Sequence, residues 1–401
     1  MADRFPATFL QEWYADAHDS GWSDLAVAIP VRLAPGHDER HVRQALADLT
    51  ARHEALRTTL VRTEQGLRQE VAATGTIPCT VAARAEPRPF EVCGGALAGA
   101  VLERDLAGGV LVVYAHHAIC DGWSAGIIHR DLTELCEARR DGRPPRLPEL
   151  ALQFADFACW EHEIRRRPVP RYWRDRLGDR PRLRLDVDPA ALGRPARLHE
   201  TSLPSVPPHS ARALAALAAS LRTTRSRLLG ALVVATLRPF ADDRVRIGLI
   251  ASNRHRPELR DTVGDLWDQL PVTVDVSGEP TLSELATRYD GEVTAAQDHH
   301  VPLAVLAPLL GPGPLFDVRV NHFPDTVPDD DVRVRPRPHV VDRWWPGLAL
   351  IDFQFRDRAD GGVDCHLLVN VAAVPAERID AITARFAEVV AAVAQPVGGR
   401  C

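Results

Sequence analysis

The sequence predicts an α/β protein built as two lobes of similar size. In both halves, segments with the continuous or alternating apolar character of strands take turns with segments whose apolar residues recur every three or four positions. Between the halves, residues 186–208 are rich in Pro, Arg and Ala and have little periodicity, which predicts a boundary near residue 190 and lobes of 1–190 and 191–401. A chain of 401 residues, 45% hydrophobic and 25% charged, holds enough material for one large core or two smaller ones. The same composition excludes disorder and collagen-like repeats, and no internal repeat is visible.

Residues 25–33 read as a first strand. Asp38 is placed to cap a helix whose stripe is Val42, Ala45, Leu46, Leu49, His53 and Leu56. The run Val110-Leu111-Val112-Val113-Tyr114-Ala115 has the character of a strand covered on both faces. It leads through His116-His117-Ala118-Ile119-Cys120-Asp121-Gly122 into a helix with Ile128, Leu132, Leu135 and Cys136 on one face. In the second half, Ser210 is read as the cap of a helix carrying Leu214, Leu217 and Leu221, followed by a more apolar helix over residues 226–237. Strands are predicted at 245–250, 270–276, 316–323, 348–355 and 363–371. Thr281 and Glu284 form a capping box, and Ile379, Ile382, Phe386 and Val389 line the last helix.

The formal charge of −6 argues against general nucleic-acid binding, which needs a net basic face to displace counterions. All basic residues are arginine. The N-terminus lacks the apolar stretch of a signal peptide, and no run approaches the ~18–20 apolar residues that span a bilayer. A soluble, cytoplasmic protein with no membrane and no nucleic-acid partner is expected. Cysteines 79, 93, 120, 136, 159, 365 and 401 are scattered and never spaced as CxxC, which predicts free thiols.

Successive strand residues point to opposite faces, so a strand ending in His116 and His117 shows one imidazole to a given cavity. A metal site shared by both is disfavoured. A single imidazole beside a glycine turn suits general acid–base work, its pKa lying near neutrality; the plainer reading of a bare His-His pair is two hydrogen-bonded core residues. Asp121, following a buried strand, must be paired to stay ionised. Gly122 marks a place where backbone or ligand approaches closely.

With these residues the chain resembles the condensation domains of nonribosomal peptide synthetases, several separated motifs standing in family order. His116 to Ser124 reads HHxxxDG followed by Trp123-Ser124. Upstream, Arg52-His53-Glu54-Ala55-Leu56-Arg57-Thr58 is similar to the RHExLRT segment, and Thr8 with Gln11 stands where the opening motif carries its Gln. Downstream, Phe154-Ala155-Asp156-Phe157-Ala158-Cys159-Trp160 resembles YxDFAxW, and Tyr172-Trp173 the step closing the first lobe. Ile247-Gly248 with Arg254, Val263-Gly264 to Pro271, His300-Val301-Pro302, and Pro314-Leu315-Phe316 with Asn321 follow the remaining motifs, so the likeness runs over essentially the whole chain.

The resemblance implies two lobes of the chloramphenicol-acetyltransferase type arranged as a V, with His117 in a tunnel between them. It implies an acyl group arriving as a phosphopantetheine thioester on an acyl or peptidyl carrier protein in trans, a small-molecule or carrier-bound amine acceptor, and no cofactor bound by the chain itself. His117 is then the catalytic position and His116 a supporting one, Asp121 is paired with Arg254, and Gly122, Trp123 and Ser124 border the substrate. Where the family reads FVNT, this chain has Leu266-Trp267-Asp268-Gln269, a bulkier and more acidic latch. Trp267, Asp268 and Gln269 are therefore substrate-binding candidates, Asp268 meeting either an internal arginine or a cationic group on the acceptor. The segment from Pro89 to Leu97 keeps the outline of the family's PFDL…GPL region without its proline.

Other residues carry two readings each. Cys120 is a nucleophile or a buried inert thiol. Asp298-His299-His300 is a second histidine pair or a solvated helix end, and Trp344-Trp345 lines a channel or packs on its lobe. Residues 165–184 hold nine arginines against Asp175 and Asp179, a solvated face or a carrier docking surface around Arg165, Arg166, Arg167, Arg171 and Arg174. The leading function is a freestanding condensation enzyme forming an amide. An O-acyltransferase using the same histidine, or a non-catalytic carrier-docking module, are the alternatives; Trp123-Ser124 speaks against the related epimerisation domains.

Overall fold

The computed structural model describes residues 2–19, 26–85, 89–103, 109–178, 181–193, 197–310, 315–323 and 349–394. Trp344 and Trp345, Pro314, Asp179 and Cys401 lie outside them. The described residues form two units: residues up to Arg167 joined by Ser252–Trp267, and the remainder from Pro168 onward. Each has its own hydrophobic core.

The first unit contains, in order, β1 (Asp3–Pro6), α1 (Phe9–Asp19), β2 (Ala26–Arg32), α2 (Glu39–Arg52), β3 (Thr58–Thr63), β4 (Gly66–Val71), β5 (Cys79–Ala82), β6 (Ala98–Glu103), β7 (Val110–His116), α3 (Gly122–Asp141) and α4 (Phe154–Ile164). One sheet runs β2-β7-β6-β5, and a smaller one β1-β4-β3. β7 is interior to its sheet and antiparallel to both neighbours, with His116 opposite Ala26. Its residues from Leu111 to His116 are buried on both faces, as the unbroken apolar run required. α2 starts where Asp38 accepts a hydrogen bond from the His41 N–H at 2.7 Å. It ends at Arg52, earlier than its periodicity suggests: His53 is the C-cap, in extended conformation, and Leu56 lies in a following 3₁₀ turn. The cause is a polar anchor. Buried Asp131 of α3 takes hydrogen bonds from Arg52 Nε and His53 Nε2, both at 2.9 Å, drawing the chain out of the helix.

The second unit contains α5 (Arg171–Leu177), β8 (Leu198–Ser202), α6 (Pro208–Ser220), α7 (Arg225–Leu237), β9 (Arg244–Ala251), β10 (Asp268–Asp275), α8 (Leu282–Asp298), α9 (Leu303–Leu310), β11 (Val318–Phe323), β12 (Ile351–Asp357), β13 (Val363–Asn370) and α10 (Ala376–Ala394). The sheet order is β10-β9-β11-β12-β13-β8, with β11 parallel to β9 and β12 and the other pairs antiparallel. Every residue of α7 from Leu228 to Leu237 is buried, so this helix runs through the core and not over it. The capping box of Thr281 and Glu284 is present, but α6 begins at Pro207-Pro208 and Ser210 sits buried inside it.

The change of unit falls between Arg167 and Pro168, where composition predicts it near 190. Trp173, Leu177, Leu183 and Leu185 explain the difference: all four are buried in the second core, and Trp173 Nε1 donates to the His299 carbonyl at 2.7 Å. Tyr172-Trp173 thus opens the second unit instead of closing the first. Some of the arginines of this stretch are paired, Arg165 with Glu12, Arg171 with Asp175, Arg176 with Glu292 and Arg182 with Asp317.

Gly230 lets α7 and α8 approach. A Cβ there would lie 2.2 Å from the hydroxyl oxygen of buried Tyr289, which has no hydrogen-bond partner among the described residues. Gly230→Ala should cost about 1–3 kcal/mol, as overpacking does, whereas Tyr289→Phe should hold or raise stability by removing an unpartnered buried hydroxyl. Thermal melts of both variants check this; wild-type melting of Gly230→Ala would mean the approach is not tight.

Candidate active site

β7 delivers His116 at its last position, and the chain then makes a 3₁₀ turn over His117–Ile119 before Asp121 caps α3. His116 is 1% exposed, and its Nδ1 accepts the Ala118 N–H at 3.0 Å. That bond leaves the ring proton on Nε2 and makes His116 the cap of the turn. Burial first, then the neighbouring His117 and His18, push its pKa down to about 3, so it stays neutral. Gln11 braces the same turn from α1, its Nε2 donating to the Ala118 carbonyl at 3.1 Å.

His117 leaves the strand and has different partners. Its Nδ1 stands 3.0 Å from Tyr14 Oη and 3.0 Å from Asp265 Oδ1. Its side chain is 28% exposed while that of Asp265 is 0% exposed. Burial alone would lower the imidazole pKa, but attraction and hydrogen bonding from Asp265, with the charge of Asp121 behind them, raise it above 6.5. Burial likewise pushes the Asp265 carboxyl up to about 6, against the pull of His117. Nε2 of His117 has no hydrogen-bond partner among the described residues.

Asp121 accounts for the placement of Asp265. Oδ1 accepts from the Ser124 N–H at 2.8 Å and Arg254 Nη2 at 3.1 Å; Oδ2 accepts from Arg254 Nη1 at 2.6 Å and the Leu266 N–H at 3.1 Å. Ser124 Oγ donates to the Gly264 carbonyl at 2.7 Å and accepts its N–H at 3.0 Å. The residues on either side of Asp265 are therefore both fastened to the start of α3. Gly264 is required for this, since a Cβ would meet the Phe154 ring at 2.3 Å. Asp121 is buried, which by itself raises a carboxyl pKa, yet the charge and hydrogen bonds of Arg254 and the bonds from Ser124 hold it below 3.8.

The remaining candidates divide. Gly122 is exposed, and beyond its own helix and chain neighbours no atom of the described residues comes within 4 Å of a would-be Cβ, so it borders open space and not a close backbone neighbour. Trp123 is 42% exposed, its indole N–H donating to the Arg260 carbonyl at 3.0 Å. Trp267 is half-buried, its Nε1 buried without a partner among the described residues. Asp268 and Gln269 open β10 in the second unit. The Asp268 carboxylate is taken up internally by His300 Nε2 at 3.1 Å and the N–H groups of Gln269 and Leu303, with histidine where an arginine was anticipated. Asp298 and His299 stand exposed at the end of α8, as a solvated helix end does, with His299 stacked on Tyr172 at 3.9 Å, whereas His300 is half-buried on Asp268. Cys120 is buried, its thiol pushed well above its ordinary pKa by burial, and the six described cysteines are all free.

No sequence pattern singles out Tyr14 or Asp265. Tyr14 lies three residues after Gln11 on one helix, hence on the same face. Asp265 is a lone carboxylate within Val263-Gly264-Asp265-Leu266-Trp267, where a charge needs a partner.

Removing one partner of a buried ion pair costs roughly 3–5 kcal/mol, because the other charge is stranded. Asp121→Ala should lose stability of that order at neutral pH, measured by denaturant unfolding. Because the folded-state pKa is depressed, the contribution is complete above the unfolded value near 3.8 and is lost as pH falls through the lowered one, so the gap between wild type and variant should narrow in acid. A gap that stayed constant would exclude the ionised pair as its source.

Residues 1–323 match the family model described as Condensation domain. The chain is 32% identical over 310 residues to phosphinothricin tripeptide synthetase PhsC of Streptomyces viridochromogenes, covering 69% of this chain and 28% of that protein. It is 26% identical over 373 residues to a dimodular nonribosomal peptide synthase of Bacillus subtilis, covering 83% of this chain and 16% of that protein. It thus spans under a third of the length of either relative. Among solved structures, the X-domain from teicoplanin biosynthesis superposes with a TM-score of 0.77 at 23% identity, covering 99% of this chain and 96% of that one. SgcC5 of Streptomyces globisporus superposes with 0.75 at 24% identity, covering 98% and 99%. No described helix is long and apolar enough to cross a membrane. The fold with its two α/β units and the match along most of the sequence agree: the chain belongs to the condensation-domain family.

Proposed function

We propose that this chain is an acyltransferase that joins a carrier-protein-bound acyl or aminoacyl thioester to an amine, with His117 as the proton carrier. The observation that supports it is His117 itself: Nδ1 is engaged by Tyr14 and Asp265, while the ring stays partly exposed with Nε2 unengaged among the described residues. In the reaction the amine nitrogen attacks the thioester carbonyl, a C–N bond forms and the C–S bond breaks. His117 takes the proton from nitrogen and returns it to the departing sulfur, so base and acid are one group. The phosphopantetheine arm comes with the carrier protein, and the reading asks for no resident cofactor. The open surroundings of Gly122 and the exposed Trp123 are where such an arm finds room.

The Asp265 carboxylate behind Nδ1 favours one further reading, ester formation on a hydroxyl acceptor. A hydroxyl is a weaker nucleophile than a free amine and depends more on proton removal during attack, which a carboxylate-backed imidazole supplies. Intact-protein mass spectrometry of an acyl-loaded carrier protein, incubated with the enzyme and matched amines and alcohols, separates the two by product mass.

His117→Ala should lower turnover by about 10²–10⁴-fold while remaining folded. A folded variant that transfers acyl groups at the wild-type rate would overturn the assignment, and carrier binding without transfer by the wild type would leave a docking module. The active form has Nε2 unprotonated, and the raised imidazole pKa places the acid limb of kcat/KM above pH 6.5. A pH–rate profile flat from 6 to 8 would argue against His117 as the base.

A further inference from the structure

We infer that Asp265 is a positioning residue for this reaction, holding His117 in the tautomer with the proton on Nδ1 so that Nε2 is the atom that accepts the substrate's proton. The kinetic part of the inference rests on the acyl transfer proposed above; the tautomer itself does not.

The argument begins with the two oxygens at 3.0 Å from Nδ1. A phenol can donate or accept, but an ionised carboxylate only accepts, so Nδ1 opposite Asp265 must be the donor. The carboxylate needs that N–H in turn. Its side chain is 0% exposed, Oδ1 faces His117, and Oδ2 is buried without a hydrogen-bond partner among the described residues. A buried carboxylate so poorly served elsewhere depends on the His117 N–H as its hydrogen-bond donor.

Its position is fixed from both sides. Gly264 is bonded to Ser124 through both its N–H and its carbonyl, and the Leu266 N–H to Asp121, so the carboxylate cannot drift from the imidazole without breaking contacts to the start of α3. The charged and titratable groups facing His117 are Tyr14 from α1, His116 and Asp121 from its own turn, and Asp265 from the 252–267 segment, with Arg254 behind the two carboxylates. Of these, Asp265 alone reaches Nδ1 with a formal charge.

Asp265→Asn keeps the shape and removes the charge. Turnover should fall by about 10²–10⁴-fold with KM little changed, and the acid limb of kcat/KM should move to lower pH, because the attraction that offsets burial of the imidazole is gone. A residue with only a structural role would lower the melting temperature and leave that limb where it was. Independently of any substrate or variant, ¹⁵N NMR of the histidine-labelled wild-type protein above the limb should show His117 protonated at Nδ1 and bare at Nε2. An Nε2–H tautomer in that spectrum, or an Asp265→Asn enzyme with unchanged kcat and an unmoved limb, overturns the inference. If the wild type acylates neither amines nor alcohols, the proposed reaction fails while the spectrum still decides the tautomer.

Discussion

The bidentate contact between Asp121 and Arg254 is the interaction on which the rest of the site depends. It joins the turn after β7 to a segment well over a hundred residues later in the chain, and the same carboxylate closes the first turn of α3. Burying two charges is expensive unless their remaining hydrogen-bonding capacity is also met. Here most of it is met: the carboxylate takes further bonds from Ser124 and Leu266, and the guanidinium donates to Ser124 Oγ and to the carbonyls of Ser252 and Thr262, while its Nε has no partner among the described residues. The cost is turned into specificity of register, because a slip in the 252–267 segment would strand both charges.

That pair also explains the path of the chain. After β9 in the second unit the backbone returns to the first for Ser252–Trp267 before starting β10. Leu259, Val263 and Leu266 bury their side chains in the first unit's core, so the return is secured by apolar burial as well as by the ion pair. Asp265 lies between two of these anchors. A carboxylate is thereby carried to His117 by a segment whose neighbours are all held for other reasons.

Much of this is legible in the sequence, and the exceptions have physical causes. β7 and α7 announce themselves as unbroken apolar runs and α3 and α10 by a helical periodicity kept over many residues, and the HHxxxDG string locates the turn. Composition misplaces the unit boundary because it registers proline and arginine more strongly than the few large side chains, Trp173, Leu177, Leu183 and Leu185, that decide where a segment is buried. Periodicity makes α2 too long because its apolar stripe continues past the point where Asp131 captures Arg52 and His53, and a tertiary hydrogen bond leaves no periodic trace. Tyr14 and Asp265 escape for the same reason. Their importance lies in meeting one nitrogen, 103 and 148 residues away along the chain, and neither spacing nor composition encodes that meeting.

The two histidines show how environment alone divides labour between identical neighbours. His116 is enclosed, spends Nδ1 on a backbone N–H and is pushed to about 3, so it neither takes up nor gives a proton near neutrality. Cys120 is driven the opposite way, its thiol too weak an acid to ionise, and Asp121 has both oxygens committed to Arg254 and backbone donors. Within the turn that leaves His117, partly exposed, with a pKa raised toward neutrality and a carboxylate fixing which nitrogen holds its resting proton. Acyl transfer from a thioester moves one proton from the nucleophile to sulfur, and it needs one group able to change its protonation state twice per turnover. The other titratable groups of the turn, His116, Cys120 and Asp121, are each held in one state, so in the proposed reaction the group of the turn that can carry the proton is His117.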